Sequence, residues 1–351
     1  MKPHYTSIDL FAGIGGIRLG FEQTNRVRNV FSSEIDPFAC KTYHANFGDN
    51  PHCDVTKIEE NTLPDFDILL AGFPCQAFSI AGKRGGFDDT RGTLFFDVAR
   101  ILKAKKPKAF LLENVKGLTH HDKGKTLQTI LDVLRNDLGY TVYTQLLNAK
   151  DYNVPQNRER IYLVGFKNPT PFEFPHPKPL NRAVKDIIES DEVSSKYYLS
   201  DTYLNTLKRH RQRHEAKGNG FGYEILKSEG ISNTLVVGGM GKERTLIRDT
   251  RLTNFTPKTR IKGEINGEFI RKTTPREWAR LQGFPDSYHI PVSDAQAYKQ
   301  FGNSVCVTVI HEIAKEMIKR LDNDHQRVLS SHKNRQRERD FDARIVHYPL
   351  P

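Results

Sequence analysis

The chain reads as an α/β protein with an open sheet, and three features lead to that reading. Short apolar runs of strand length recur through its first third. A glycine-rich turn separates the first of them from a helix-like pattern. The runs end in residues able to do chemistry, which is where open α/β sheets gather their ligands.

Ser7-Ile8-Asp9-Leu10-Phe11 is the first expected strand, and it runs into the turn Ala12-Gly13-Ile14-Gly15-Gly16. Ile17, Leu19, Gly20 and Phe21 then follow a helical pattern. A turn of this kind lets backbone N–H groups approach a nucleotide-like ligand closely. Beyond it the run Val30-Phe31-Ser32-Ser33 ends in Glu34, where a carboxylate can accept both ribose hydroxyls of an adenosine group. Asp54, after Cys53, is expected at another strand end.

Ile68-Leu69-Leu70-Ala71 leads directly into Gly72-Phe73-Pro74-Cys75-Gln76. Pro74 fixes its own φ and restricts Phe73, while Gly72 permits a tight turn, so the backbone aims the Cys75 thiol. A lone cysteine is ordinarily a small buried hydrophobe; this one stands where a nucleophile belongs. Ala109-Phe110-Leu111-Leu112 ends in Glu113-Asn114-Val115, although an acid in such a place often only starts a helix. Phe11, Glu34, Asp54, Cys75 and Glu113 are together expected to converge on one crevice.

Prolines at 169, 171, 175, 177 and 179 mark a linker out of the sheet domain. The stretch from Asn181 to Pro275 carries eighteen Lys and Arg against twelve Asp and Glu, about half of the chain's net charge of +11. Within it Lys208 to His214 is a basic run along an expected helix. Lys217 to Tyr223 is a glycine-rich loop with basic and aromatic residues, and Ser232 to Arg244 is a glycine-rich loop that ends in basic residues. A solvated surface explains many such runs, but the charge suits a polyanion partner. Val309, Ile310, Ile313, Met317, Ile318 and Leu321 predict a helix that returns to the first domain, which makes that domain discontinuous. The expected units are 1–178 completed by a helix over 300–322, a second domain over 181–297, and a tail over 323–351.

Four cysteines, Cys40, Cys53, Cys75 and Cys306, have no paired spacing, and no metal site is expected. His120-His121 is expected to be exposed, and His210 and His214 to share a helix face. The chain opens Met1-Lys2-Pro3-His4 without an apolar signal region, and no run approaches a membrane span, so a soluble cytoplasmic protein is expected.

Six blocks carry a resemblance. They are Asp9 to Gly16, Gly72 to Ser79, Glu113-Asn114-Val115, Gln156-Asn157-Arg158-Glu159-Arg160, Arg276 to Pro285 with its Leu281-Gln282-Gly283-Phe284-Pro285 core, and Gln300 to Val305. In this order, over residues 7 to about 320, the chain resembles the bacterial DNA cytosine C5 methyltransferases of restriction-modification systems. Gly82 to Arg100 is also similar to the short GCGC-type enzymes. The resemblance implies a Rossmann-like S-adenosylmethionine-dependent methyltransferase domain with a smaller, mostly β target-recognition domain. It implies double-stranded DNA as partner, a monomer, and functional pairing with a restriction endonuclease without a stable complex.

The implied chemistry explains the residue types. Carbon 5 of cytosine is a poor nucleophile, and addition of a thiolate to C6 makes it electron-rich. The resemblance gives that role to Cys75, and to Glu113 the charge developing at N3 and the exocyclic amine, with a carboxyl pKa raised by burial. Arg158 and Arg160 would assist at the base and its phosphate. For the cofactor, the resemblance implies Phe11 at the adenine, Glu34 at the ribose, Asp54 and Val55 at the adenine edge, and Gly13, Gly15 and Gly16 at the methionine end. Pro74 and Leu94 join this set, and Asn303 and Ser304 close it. Ile35 stands where many relatives have an aromatic.

On the DNA side, Gln76 to Leu94, bearing Lys83, Arg84 and Arg91, is expected to close over a flipped cytosine. Thr234, Lys242, Arg244 and Arg248 are the candidates for reading bases. Two alternatives stand beside this reading: an RNA cytosine methyltransferase, against which the long region between the fourth and fifth blocks argues, and a non-catalytic DNA-binding derivative, against which the intact Cys75, Glu113, Glu34 and Arg160 argue. A G·C-rich palindrome is the only expectation for the target.

Overall fold

The structure, a computed structural model, describes residues 5–74, 94–169, 171–220, 222–255 and 263–324. Cys75, Gln76, Lys83, Arg84 and Arg91 lie outside the described residues, as does the tail beyond 324.

Alternation of apolar side chains along the early strands dictates the architecture. β1 (Tyr5–Leu10), β2 (Val27–Ser33), β3 (Ile68–Gly72) and β4 (Ala109–Val115) pair in parallel, and β5 (Thr141–Asn148) and β6 (Glu159–Phe166) add antiparallel partners, giving the order β2-β1-β3-β4-β6-β5. Leu69, Ala71, Phe110 and Leu112 face one side, where they pack with Phe95, Val98 and Ile101 of α3 (Leu94–Lys105) and Ile130 of α4 (Lys125–Asp132). Ile68, Leu70, Ala109 and Leu111 face the other, against Ile17 and Phe21 of α1 (Gly16–Glu22). These strands are apolar on both faces because helices cover both, as parallel sheets require.

The chain end completes the second layer. Asp36 caps α2 (Pro37–Phe47) through the amides of Phe38 and Ala39. Far downstream, α6 (Pro275–Leu281) and α7 (Asp294–Asn303) pack with Ala39 and Ile14 through Trp278, Phe284 and Phe301. The expected helix over 300–322 is two elements. α7 stops at Asn303, Ser304 is extended at φ −74°, and α8 begins at 307 and continues to the last described residue at 324. Ile310, Ile313, Ala314 and Met317 of α8 are buried against the sheet.

Strand is scarcer than expected between 181 and 275. β7 (Leu246–Arg248) and β8 (Ile270–Lys272) form a two-stranded pair, with isolated bridges at Tyr198–Arg271, Ser200–Ile265 and Ile225–Leu246. The cover is the 15-residue helix α5 (Asp201–Glu215), which carries the basic run and sets Leu204 and Leu207 on Leu246 and Ile270. A second correction concerns Asp54. It does not end a strand: after one bridge from Glu34 to His52, its Oδ1 accepts from the Thr56 amide at 3.0 Å and turns the chain. Short acidic side chains compete with extended pairing in this way.

Candidate active site

β1 leads to β2 on one side and β3 lies on the other, so the strand order reverses between β1 and β3, and ligands bind open sheets at such a reversal. A cleft of about 580 Å³ lies there, at the carboxyl ends of β1 to β4. It brings together most of the expected residues: Phe11, Gly13, Gly16, Glu34, Ile35, Asp54 and Val55 from the sheet's first half, Pro74, Leu94 and Glu113 from the second, and Arg158, Arg160, Asn303 and Ser304 from later blocks.

The first turn is held by close approach. Phe11 adopts φ 54°, in the left-handed region that a bulky side chain avoids, so its position is imposed by the fold. A Cβ on Gly16 would come within 2.8 Å of Ser304 Oγ and 2.9 Å of Val305, so only glycine lets the C-terminal segment close on this turn. Gly15 departs from expectation: it does not line the cleft. Its Cβ would strike Phe47 of α2, and its φ of 77° serves the turn and the start of α1.

Glu34 is fixed by backbone. Its Oε2 accepts from the Gly13 amide at 2.8 Å, and Oε1 from the amides of Ile35 and Asp36 at 2.9 and 2.8 Å. A carboxylate offers about four acceptor positions, which leaves room for one further donor. Asp54 keeps Oδ2 toward Lys57 at 3.8 Å while Oδ1 holds Thr56, and these Thr56 hydrogen bonds lower its pKa. Ile35 is 66% exposed on the cleft rim, presenting aliphatic surface where an adenine ring could rest.

The candidate catalytic residues belong to the ends of β3 and β4. Glu113 stands opposite Gly72 in the parallel register, and a Cβ on Gly72 would sit 3.7 Å from Glu113 Oε2. Asn114 Nδ2 donates to the Phe73 carbonyl at 2.9 Å and so anchors the backbone two residues before Cys75. Neither Glu113 oxygen has a hydrogen bond among the described residues beyond the ion pair of Oε1 with Arg160 Nε at 3.3 Å. Burial raises the Glu113 pKa, and the charges of Arg160 and Arg158 only partly oppose this. Arg160 also donates to the Glu159 carbonyl at 2.7 Å. Arg158, two residues earlier, is buried and bonds to backbone carbonyls of two other segments.

Several residues of the cleft were missed in the sequence. Lys299 of α7 pairs with Asp36 at 2.6 Å across the cleft, and Gln300 joins the two helices through Thr42 Oγ1 at 2.9 Å and the Phe38 carbonyl at 2.8 Å. Gln300 was visible only as part of a matching block, and nothing local marks Asp36 or Lys299.

The DNA candidates that are described lie on one stretch. Thr234 is half-buried and donates to the Asn157 carbonyl at 2.6 Å. The Lys242 ammonium lies 5.1 Å from the Tyr298 ring centroid, Arg244 is half-buried, and Arg248 is exposed beside Glu268 at 3.6 Å. Gly238 and Gly239 both take positive φ between them. His210 and His214 do share one face of α5, with ring centroids 4.5 Å apart. Among the described residues no group of three His, Cys, Asp or Glu could hold a metal, and no helix is long and apolar enough to cross a membrane.

Residues 5–319 match the family described as C-5 cytosine-specific DNA methylase. The chain is 61% identical over 329 residues to the type II methyltransferase M.HpaII of Haemophilus parainfluenzae, covering 92% of each chain. It is 44% identical to M.HhaI of Haemophilus parahaemolyticus, over 88% of this chain and 92% of that one. In fold it matches the crystal structure of the S. pombe Dnmt2 methyltransferase with a TM-score of 0.71 at 22% identity, covering 90% of this chain and 99% of that one. The chain therefore belongs to the C-5 cytosine-specific DNA methylase family, and it is a DNA cytosine C5 methyltransferase of the bacterial restriction-modification type.

Proposed function

We propose that the chain methylates cytosine within one short duplex sequence, with Cys75 as nucleophile, Glu113 as the proton-bearing group at N3, and S-adenosylmethionine as methyl donor. The observation that carries the reading is the buried Glu113 carboxyl, opposite Gly72, which itself lies three residues before Cys75, with its pKa raised by burial. A protonated carboxyl can meet the charge that thiolate addition to C6 pushes into the ring. Arg160 then orients Glu113 through its Nε. S-adenosylmethionine, when bound, would supply the methyl group to the electron-rich C5 and leave as S-adenosylhomocysteine; the C5 proton would then pass to solvent as the C6–S electron pair returns to the Cys75 thiolate, which restores the ring.

Phe11, Glu34, Ile35, Asp54, Val55 and the Gly13–Gly16 turn would hold the adenosine and methionine parts, with Leu94, Pro74, Asn303 and Ser304 completing the site. The base must leave the duplex to reach Glu113, which lies inside the cleft. Residues 181–297 serve as the recognition domain in this reading, with Thr234, Lys242, Arg244 and Arg248 near the bases and Gln76, Lys83, Arg84 and Arg91 closing over the flipped cytosine. In this reading the chain acts as a monomer in the cytoplasm, paired in function with a restriction endonuclease.

The test is transfer of tritium from labelled S-adenosylmethionine to unmethylated duplex DNA, with bisulfite mapping and Cys75→Ser alongside. Methylation at cytosines of one motif, abolished in the variant, is expected. Transfer to RNA and not DNA, or transfer retained by Cys75→Ser, would overturn the assignment.

A further inference from the structure

We propose that Arg158 is a positioning residue that couples the recognition loop to the cofactor side of the cleft, and that it does not touch the target base. This deepens the reading above and rests on it. The guanidinium is buried at 3% exposure, and its terminal nitrogens meet backbone oxygens from two distant segments. Nη1 donates to the Leu235 carbonyl at 3.3 Å, and Nη2 to the carbonyls of Gly302 at 3.3 Å and Ser304 at 2.5 Å. Nε is buried without a partner, and no carboxylate lies within ion-pair distance of Arg158 among the described residues. Burial, and then the Arg160 charge, push its pKa down to about 10, which still leaves it charged at neutral pH.

The residues around it form one polar seam. Gln156 accepts from the Leu235 amide at 3.1 Å and donates to the Leu281 carbonyl at 2.5 Å and to Gln282 Oε1 at 3.3 Å; Gln282 in turn donates to the Phe301 carbonyl at 2.7 Å. Asn157 and Ser232 pair through backbone at 2.8 Å. The turn before β6 therefore holds both Ser232–Leu235, which leads into the exposed Val236 and Val237 and the Gly238-Gly239 hinge, and Gly302–Ser304, which walls the cofactor cleft.

A guanidinium is a rigid planar fork, so the three carbonyls it holds cannot move independently. When the loop engages DNA, a shift at Leu235 must alter how Gly302 and Ser304 are held, and by linkage occupancy of the cleft must alter the loop. Arg160, whose Nε faces Glu113, is left as the arginine of this block at the reacting base.

The experiment measures the affinity of the full chain for S-adenosylhomocysteine, alone and saturated with a duplex carrying the motif mapped by bisulfite sequencing, against a scrambled duplex. The motif duplex is expected to tighten binding by about 5- to 150-fold, the usual span of coupling between sites. In Arg158→Lys, which can keep one carbonyl but not three, that factor is expected to fall toward one. KM should rise for both substrates while kcat at saturation stays within about tenfold, since uniform binding is what is lost. Gln156→Met, which cuts the Leu235 amide link without burying a charge, should weaken the coupling less. Absence of coupling in the unmodified protein overturns the proposal whether or not the Arg158 variant folds. So does an Arg158→Lys enzyme with intact coupling and kcat reduced more than about a hundredfold, the mark of a group acting in the transition state. Failure of tritium transfer by the unmodified protein would instead mark failure of the enzymatic reading.

Discussion

The cleft edge that carries the proposed catalytic residues and the proposed recognition region each bury carboxylates beside arginines, and they treat them in opposite ways. At the edge, Glu113 has one ion pair at 3.3 Å among the described residues, and burial raises its pKa. In the recognition region, Arg271 is wholly buried and fully answered: Nε meets Asp249 at 2.8 Å, and the terminal nitrogens meet Glu277 at 2.8 and 2.7 Å. Burial alone would raise Asp249, but hydrogen bonds from Arg251 and Arg271 hold it well below the usual carboxylate range. Glu277 also accepts from the Thr274 amide in a capping box at the start of α6. The contrast teaches that an under-answered buried acid is available for proton chemistry, whereas a saturated network fixes one piece of structure to another.

The largest effect expected from breaking this contrast is at Glu113. Glu113→Gln keeps the shape and removes the ionisable proton, and kcat should fall by about 10²- to 10⁴-fold, the usual contribution of a positioned acid. Because the pKa is raised, the active protonated form persists above the ordinary carboxylate range and is lost as pH rises through the raised value. The alkaline limb of kcat/KM that belongs to this group should vanish in the variant, and an unchanged limb would remove the assignment.

Arg271→Met comes next. It leaves Asp249 and Glu277 buried with reduced compensation, and breaking such a network costs about 3–5 kcal/mol. Urea unfolding should show the loss, and cofactor affinity should change less than DNA affinity. The sign with pH is opposite to that of Glu113: Asp249 is depressed, so its contribution is present above the unfolded value of about 3.9 and is lost as pH falls below it. If acid unfolding of the unmodified protein and of Arg271→Met coincide, the network is not what stabilises the region.

The smallest effect is on the surface of α5. Lys208 pairs closely with Glu268, and both are more than a third exposed, so Lys208→Ala should change stability by less than about 1 kcal/mol. Its effect on DNA binding, if the face meets phosphates, is read from the slope of affinity against salt, which should fall by about one contact.

Much of the catalytic half was legible because its physics is local. Two-sided apolar runs such as Ile68-Leu69-Leu70-Ala71 can only be covered strands, and the glycines of the first turn sit where side chains would collide. Asp54 was misplaced because one capping hydrogen bond outweighed an extension that its sequence allowed. Gly15 was misread because a glycine needed for packing against Phe47 looks identical to one needed for a ligand. The recognition region was less legible, since its apolar clusters are small and its shape depends on polar pairs far apart in the chain, such as Arg271 with Asp249.

By itself the sequence determined the sheet, the strand ends at which the cleft opens and the reaction class, and it offered candidates for the residues that carry the reaction, because strand periodicity, turn chemistry and reactive side chains are written residue by residue. Tertiary structure alone decided how those residues are poised. Glu113 is under-paired because Arg160 is its single ion-pair partner among the described residues, and Arg158 is drawn away to Leu235, Gly302 and Ser304. The physical reason is that burial and hydrogen-bond satisfaction are properties of contacts between distant segments, and those exist only once the chain has closed on itself.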